Sequence, residues 1–482
     1  MASLARQGCL RHADVDLKIT AMLIEWKKRL AAMTFPVLVL WVGWGTLPLN
    51  GGGRRTVSAT VVDTLNDAAL LDTVERGSFR YFWVGAEPHS GMAPERINMD
   101  GVYPEHDSLV VTTGGSGFGI MAILAGIHRG YITRDEGVKR LEKIVGFLAK
   151  ADRFHGAWPH WLQGPTGKVK PFSPKDDGGD LVETSFMIQG LLCARQFLRK
   201  GDPGERKLAS RIDTLWREVD WNWYRHGQDV LYWHWSPDYG WQMNFPIHGY
   251  NECLITYILA ASSPTHGVPA SVYHKGWAQS GSIRDSSSYE GYSLQLFHQG
   301  DARHGGPLFW THYSYLGLDP HGLKDTYAAY WKENLNQALI NYLWCVHNSL
   351  HYKGYGPDSW GLTSSYSVKG YAGHAPAASR DLGVIAPTAA VSSVVYVPRR
   401  SIRAMRHWYQ DMRNRLWGVY GFYDAFSETA GWYPARYLAI DQGPEAVMIE
   451  NYRSGLLWKL FMSCPEVIAG LKKLGFDSPY LH

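Results

Sequence analysis

The chain has 482 residues, of which 45% are hydrophobic and 19% charged, a globular composition long enough for a large core in one or two domains. Its 48 basic and 44 acidic residues give a net charge of +4 and form no basic run, which argues against a nucleic-acid-binding protein. Aromatic residues are abundant, with 21 Trp, 28 Tyr and 16 Phe. Many lie in loop-like segments such as 232–235 and the glycine-containing 420–423, where rings beside polar side chains suit a sugar-binding cleft as well as a core.

The first 53 residues differ from the rest. Basic residues 27–29 precede a short apolar run at 35–44, the order found in a secretory signal. The run is too short and too interrupted to indicate a membrane span. We therefore predict an export signal and linker over 1–53, with Met22 as an alternative start and a periplasmic location. A retained N-terminal membrane anchor is the alternative.

Helical patterns follow, separated by long loops. The pattern predicts helices at 62–84, 117–129, 134–151, 182–199, 205–223, 248–261, 324–346, 386–395, 401–412 and 444–461. Thr133 and Glu136 form a capping box before the third of these. Helices that are apolar nearly all round, such as 254–261, indicate burial on both sides, as in a two-layer helical ring. Strand content is small, at about 230–235, so we predict a single all-α catalytic domain over 54–482 with functional loops on one rim.

An acidic stretch lies between a glycine turn and a buried helix, and it contains Asp176, Asp177, Asp180 and Glu183. Asp180 and Glu183 are three residues apart and share a helix face. A carboxylate at a helix start is most often a cap or dipole partner, worth about 0.3–1 kcal/mol. Further carboxylates near helix starts, at Glu252 and Asp441, have similar neighbours: aromatic rings, amides and glycine. These starts would build one acidic pocket if they converged on one rim.

Glycoside hydrolysis needs two opposed carboxyls, one to protonate the leaving oxygen and one to activate water or attack the sugar. Asp180 and Glu183 lie side by side, too close to flank a sugar from both faces. Glu252 precedes the apolar pair Leu254 and Ile255, a setting that would keep its proton near neutral pH. We therefore expect the acid across the cleft from the acidic stretch, at Glu252.

Competing motifs are weak. The glycine-rich segment 114–119 lacks a following GK[ST] and is interpreted as a tight turn with close helix contact. No HExxH, Cys/His zinc spacing, EF-hand alternation or nucleophile elbow occurs, so we predict no metal and no cofactor. Cysteines in apolar helical stretches, Cys193, Cys253 and Cys345, are expected to be buried free thiols. The segment 155–161 offers His155, Trp158, His160 and Trp161 for sugar binding, or forms a structural aromatic turn.

Seven motifs resemble one family along about 68–477, in the same order. They are FRYFW at 79–83, TGGSGFG at 113–119, FHG at 154–156, DGGDLVET at 177–184, YGFYDAF at 420–426, IDQGP at 440–444 and ENYRSGLLW at 450–458. This pattern resembles the bacterial glycoamylase-like family, glycoside hydrolase family 144, which includes endo-β-1,2-glucanases. The resemblance implies an (α/α)6 barrel, or toroid, and inverting cleavage of β-1,2-glucan to short sophoro-oligosaccharides.

The resemblance also implies roles for single residues. Glu252 matches the family's proposed acid, and Asp441, Asp180, Glu183 and Asp176 match its other essential carboxylates. We predict Glu252, Asp441 and Asp180 to be catalytic, with Asp441 or Asp180 as the base. The predicted substrate-binding residues are Asp176, Glu183, His155, Trp158, His160, Trp161, Tyr423, Gln442, Glu450 and Asn451.

Other classes of function stay open from the sequence. One is a protein that binds or transglycosylates β-glucan without net hydrolysis, and another is a hydrolase of a different glucan linkage. A third is a polysaccharide lyase on a helical toroid, which would need a Tyr/His or Arg/His pair facing an acidic sugar. The predicted partner is in each case a polysaccharide or oligosaccharide, and nothing in the sequence indicates the oligomeric state.

Overall fold

A computed structural model describes residues 65–103, 107–298 and 303–482. The helices are α1 (Asp67–Trp83), α2 (Thr113–His128), α3 (Arg134–Leu148), α4 (Leu181–Leu198), α5 (Pro203–Arg217), α6 (Leu254–Ser262), α7 (Tyr330–His347), α8 (Pro387–Ser392), α9 (Pro398–Asp411), α10 (Arg413–Leu416), α11 (Ala439–Ser454), α12 (Leu456–Met462) and α13 (Pro465–Lys473). The predicted signal region 1–53 and Cys9 lie outside the described residues.

Buried and amphipathic helices alternate along the chain. Helices α2, α4, α6, α8 and α11 are buried almost all round. The sequences of α2, α6 and α8 are apolar or small on nearly every face, whereas α4 and α11 also bury carboxyl and amide side chains. Helices α3, α5 and α9 each present one apolar stripe to the core and a charged face to solvent. Helix α2 packs against α4 and α11, and α4 also packs against α6. The protein is therefore predominantly helical, with buried helices covered by amphipathic ones.

Glycines allow α2 and α4 to approach closely. A Cβ on Gly117 would lie 2.3 Å from the backbone oxygen of Phe186, and one on Gly190 would lie 2.1 Å from the backbone oxygen of Gly117. The predicted tight turn at 114–119 is wrong, because these residues form the first turns of α2. The predicted close helix contact is confirmed.

Most predicted helices are present, with shifted ends. The capping box of α3 is confirmed, with the Thr133 side chain accepting from the Glu136 amide and the Glu136 carboxylate accepting from the Thr133 amide. The helix predicted at 248–261 begins at Leu254, so Glu252 lies in the preceding turn. The helix predicted at 444–461 is two helices, since Gly455 adopts a left-handed conformation with φ 68° between them.

The described residues contain thirteen short strands, and three of these strands lead directly into buried helices. The strands are β1 (Arg96–Asn98), β2 (Val110–Thr112), β3 (Trp161–Gln163), β4 (Val169–Lys170), β5 (Gly179–Asp180), β6 (His234–Trp235), β7 (Ser288–Tyr289), β8 (Tyr292–Ser293), β9 (Ser364–Ser367), β10 (Gly370–Gly373), β11 (Trp417–Gly418), β12 (Gly421–Phe422) and β13 (Arg436–Leu438). All pairings are antiparallel, in the orders β2-β3-β4, β5-β6, β1-β13, β7-β8, β9-β10 and β11-β12. Strands β2, β5 and β13 run directly into α2, α4 and α11, and each fixes the N-terminus of a buried helix.

Cys193, Cys253, Cys345 and Cys464 are buried free thiols, which confirms the prediction for the first three. Within the described part of the chain, none of the helices combines the length and the apolar character that crossing a bilayer requires.

Candidate active site

A cavity of about 500 Å³ opens where strands β1, β2 and β3 meet helices α4 and α11. Three carboxyl side chains line it, those of Glu95, Glu183 and Glu252. The other side chains around it are mainly aromatic: His160, Trp161, Phe172, Phe186, Trp233, Phe309, Tyr313, Tyr366 and Tyr371. Flat rings around a few carboxyl groups suit a sugar, whose apolar faces stack on rings while its hydroxyls bond to polar groups.

Glu252 lies in the turn before α6, and Ser314 holds this turn by donating to the Glu252 carbonyl oxygen. Burial raises the pKa of the Glu252 carboxyl to about 7, and the charges of Glu183 and Asp180 act in the same direction. A carboxyl with this pKa carries a proton over much of the neutral range, as a general acid requires.

Asp180 caps α4 and anchors His160. Its Oδ1 accepts the amide hydrogens of Val182 and Glu183 at 3.0 and 2.9 Å, and its Oδ2 lies 2.8 Å from His160 Nδ1 and accepts from Trp233 Nε1 at 3.2 Å. Burial alone would raise the Asp180 pKa, but the hydrogen bond from His160 and the charges of the nearby histidines hold it below its ordinary value. Asp180 is thus an ionised carboxylate whose two oxygens are both engaged, and it does not line the cavity.

His160 carries the positive charge beside the carboxyl groups of Asp180 and Glu183. Burial lowers its pKa, but the Glu183 charge and the Asp180 hydrogen bond outweigh burial and raise the pKa to about 10. Asp176 lies nearby, with its Oδ1 3.2 Å from His234 Nδ1. One ligand atom each from His160, Asp176 and Asp180 lies within 4.8 Å of the others, a spacing that could hold a metal ion. The protonated imidazole already supplies a positive charge to these carboxylates.

Glu183 projects from the first turn of α4 into the cavity. Its Oε2 accepts the Gly114 amide hydrogen at 2.7 Å, and a Cβ at Gly114 would lie 2.6 Å from that oxygen. The glycine therefore makes room for the carboxyl. Burial raises the Glu183 pKa to about 7, against the opposing charge of His160.

Asp441 lies in the first turn of α11, 1% exposed, and is not a lining residue, although its neighbour Ile440 is. Burial raises its pKa well above the ordinary value, and the charge and hydrogen bond of the Asp424 carboxyl raise it further. Burial raises the pKa of two tyrosines that line the cavity, Tyr313 and Tyr371, and the charge of the Asp441 carboxyl raises the pKa of both further. The structure thus places Asp441 behind the wall of the cavity.

Other predicted binding residues fall in two groups. His160 and Trp161 line the cavity, and their role in sugar binding stays a prediction. Six others do not line it: His155, Trp158, Tyr423, Gln442, Glu450 and Asn451. Trp158 is fully buried, and its indole N–H donates to the Leu148 carbonyl at 3.1 Å. It is a core residue, as the alternative of a structural aromatic turn anticipated.

The residues at the end of α11 are structural. Glu450 forms a bidentate ion pair with Arg129, at 2.6 and 3.1 Å. Asn451 donates to the Leu316 carbonyl and accepts from the Leu457 amide, which closes the helix end. Burial and these partners leave no atom of either residue for a sugar in the cavity.

Three more predicted binding residues, Gln442, Tyr423 and His155, do not line the cavity. Gln442 is buried and donates to the Phe422 carbonyl at 3.0 Å. Tyr423 packs its ring on Tyr437, with centroids 5.0 Å apart. His155 is exposed and stacks on Trp223 at 3.7 Å, away from the carboxyl groups of the cavity.

Two charged lining residues, Glu95 and Arg96, were not predicted from the sequence. Glu95 and Arg96 form an ion pair at β1, and Arg96 also lies 3.2 Å from Asp107. The Arg96 guanidinium lies over the Trp161 and Tyr366 rings, at 5.8 and 5.9 Å from their centroids. A short strand with one acid and one base carries no motif, so its place in the site follows only from its pairing with β13.

Comparison with known proteins identifies the family. A family model described as "Putative glucoamylase" matches residues 244–465. An endo-β-1,2-glucanase from Chitinophaga pinensis, solved with sophorotriose and glucose, is 68% identical, with a TM-score of 0.86 over 86% of this chain and 100% of that one. The chain belongs to the glycoamylase-like family. The resemblance to glycoside hydrolase family 144 that the seven motifs carry is thereby confirmed.

The proteins that this chain is similar to differ in length and in the action that their names report. An exo-β-1,2-glucooligosaccharide sophorohydrolase from Parabacteroides distasonis is 46% identical over 440 residues. The match covers 87% of this chain but only 59% of that protein. An endo-β-1,2-glucanase from Talaromyces funiculosus, solved with sophorose, is 12% identical with a TM-score of 0.59, which shows a shared fold alone.

Proposed function

We propose that this protein is an inverting glycoside hydrolase that cleaves β-1,2-glucan to short sophoro-oligosaccharides. One observation carries the proposal: a carboxyl group with a pKa of about 7, Glu252, lines an aromatic cavity in a chain 68% identical to an endo-β-1,2-glucanase along that enzyme's whole length. Because that similar enzyme is named as endo-acting and is matched along its whole length, internal cleavage is the proposed mode.

The proposed fold is an (α/α)6 barrel. The alternation of buried and amphipathic helices supports it, since an inner ring is covered on both sides and an outer ring on one. Contacts of α2 with α4 and α11, and of α4 with α6, are those of an inner ring. The 3₁₀ segment Tyr313–Tyr315 contacts α6, and the preceding 3₁₀ segment Leu308–Thr311 contacts α7; in this proposal the two segments continue the ring after α6.

The proposed mechanism assigns Glu252 as the acid. Its proton passes to the glycosidic oxygen as the bond from that oxygen to the anomeric carbon breaks. In the same displacement, water bonds to the anomeric carbon from the opposite face, and its proton passes to Asp441. Asp441 is favoured over Asp180 because Asp441 Oδ2 has no hydrogen-bond partner among the described residues, whereas both Asp180 oxygens are engaged.

Asp180 then has a positioning role. It fixes His160 at the cavity and the start of α4, from which Glu183 projects. Glu183, His160 and Asp176 bind sugar hydroxyls or tune the charge of their neighbours in this proposal. We also propose export to the periplasm, supported by the basic and apolar segments at 27–29 and 35–44 and tested by cell fractionation.

Product analysis tests the function. The purified protein is incubated with linear β-1,2-glucan, β-1,3-glucan and an α-1,4-glucan, and proton NMR follows the anomer released first. We expect sophoro-oligosaccharides from β-1,2-glucan alone, released as the α-anomer. Turnover of another linkage, binding without turnover, or an unsaturated product absorbing in the ultraviolet would contradict the proposal and favour the other functional classes.

A further inference from the structure

A second buried carboxyl lies against Asp441. Asp424 lies between β12 and β13 and is 1% exposed. Its Oδ2 accepts the Tyr366 amide hydrogen at 2.8 Å, and its own amide donates to the Arg436 carbonyl at 2.9 Å. Asp424 thereby ties the hairpin β9-β10, which carries Tyr366 and Tyr371 at the cavity, to the strand that leads into α11.

The remaining oxygens of the two acids have no donor of their own. Asp424 Oδ1 and Asp441 Oδ2 are both buried and lack a hydrogen-bond partner within the described ranges. The chain segments that carry them lie together, since Gln442, next to Asp441, donates to the Phe422 carbonyl, two residues before Asp424, at 3.0 Å, and the two carboxyls interact through a side-chain hydrogen bond. Two ionised carboxylates offer only acceptors, so this contact is satisfied only if one of them carries a proton.

The surrounding charges favour one proton on the pair. Carboxyl groups face Asp441 from its own helix, at Glu445, and from the segment beside β1, at Glu95. The Tyr313 and Tyr371 hydroxyls are in range of it. The cation that faces Asp424 is Arg436 on β13. Arg436 balances one negative charge on the pair, and Arg96 is already paired with Glu95, so a second negative charge would lie beside carboxyl groups without a cation of its own.

We propose that Asp424 is a positioning residue that shares a single proton with Asp441 and so sets the charge and orientation of that carboxyl. The proposal rests on the function proposed above, in which Asp441 takes the proton of the attacking water. The pair begins with one proton and one negative charge. It accepts the proton from water and returns it to solvent when the product leaves.

A double-mutant cycle on stability tests the sharing without using activity. Melting temperatures are measured between pH 4.5 and pH 8.5 for wild type, Asp424→Asn, Asp441→Asn and the double variant. A carboxyl whose pKa is raised in the folded state contributes stability below its unfolded pKa of about 3.9, and that stability is lost as pH rises through the folded pKa. Each single variant should therefore gain on wild type as pH rises, by about 2 °C or more.

If Asp424 and Asp441 share one proton, the pH-dependent gains in melting temperature of the two single variants do not add in the double variant. We expect the pH-dependent gain of the double variant to match that of either single variant, because each substitution removes the same suppressed ionisation. A gain equal to the sum of the two would show independent acids and overturn the proposal, as would no gain in either.

Activity separates this proposal from the function it rests on. Asp424→Asn keeps an acceptor for the Tyr366 amide and offers a donor to Asp441, whereas Asp424→Ala supplies neither. We expect kcat to fall about 10-fold or less in the first variant and by roughly 100-fold in the second, with KM unchanged. Equal losses would contradict the positioning role. Full turnover by Asp441→Asn would refute Asp441 as the base, while the melting cycle would still decide whether the proton is shared.

Discussion

The contact between His160 and Asp180 makes a quantitative prediction about pH and stability. His160 Nδ1 lies 2.8 Å from Asp180 Oδ2, and the imidazole side chain is 21% exposed. A pKa of about 10, against an ordinary value of 6.5, corresponds to roughly 5 kcal/mol at 1.36 kcal/mol per pH unit. Since breaking a buried pair typically costs about 3–5 kcal/mol, we expect His160→Gln to lower the free energy of unfolding at pH 6 by that amount.

The pH dependence has a definite sign. A histidine whose pKa is raised on folding stabilises fully below its unfolded pKa, near 6.5, and this stability is lost as pH rises towards 10. In scanning calorimetry, His160→Gln should therefore melt about 3–6 °C below wild type at pH 6, and the gap should narrow by at least about half at pH 10.

His407→Gln is the matched control. His407 pairs with Asp411 at the same distance, 2.8 Å, but on the surface of α9, where an ion pair is worth about 0–1 kcal/mol. Its melting temperature should stay close to that of wild type at both pH values. A gap for His160→Gln that is equal at pH 6 and pH 10, or no larger than that of the control, would refute the assignment of a buried imidazolium.

Three further predictions follow from the packing and the site. Gly117→Ala should destabilise the protein by roughly 2–4 kcal/mol in thermal melts, because its Cβ would lie 2.3 Å from a backbone oxygen of α4, whereas Gly146→Ala, with its nearest atom at 3.5 Å, should be neutral or stabilising. Glu450→Gln should lower stability by about 1.5–3 kcal/mol, because Arg129 loses a charged bidentate partner and keeps only the longer contact with Glu75, yet leave KM for the glucan unchanged; a raised KM would restore the predicted sugar contact. The kcat/KM should fall as pH rises above about 7, since Glu252 must be protonated to act as an acid, and a flat profile to pH 9 would contradict that role.

The sequence predicted a helix well where the residues that define the helix end lie within one turn of each other. The capping box at Thr133 and the apolar spacing after it fixed the start of α3, because both act within one turn. Helix ends that depend on distant partners were less predictable. The neighbours of Gly114 in the sequence predict a turn. In the structure, the lack of a side chain at Gly114 leaves room for the Glu183 carboxyl, 69 residues away on α4.

The site shows the same division. The acidic stretch and Glu252 stand out because carboxylates interrupt apolar segments, and Glu183 and Glu252 line one cavity. The stretch first suggests a catalytic pair, but in the structure Asp180 is engaged by four donors and acts as a cap. Asp424 and Glu95 reach the site only through strand pairing and loop packing, for which the sequence contains no local signal.

The most direct test of the account is the turnover of linear β-1,2-glucan by Glu252→Gln. Glu142→Gln, the same chemical change on the exposed face of α3, is the control. We predict a fall in kcat of about 100-fold to 10,000-fold for Glu252→Gln, with the glucan still bound, and wild-type turnover for the control. Turnover by Glu252→Gln within a few-fold of wild type would contradict the assignment of Glu252 as the acid.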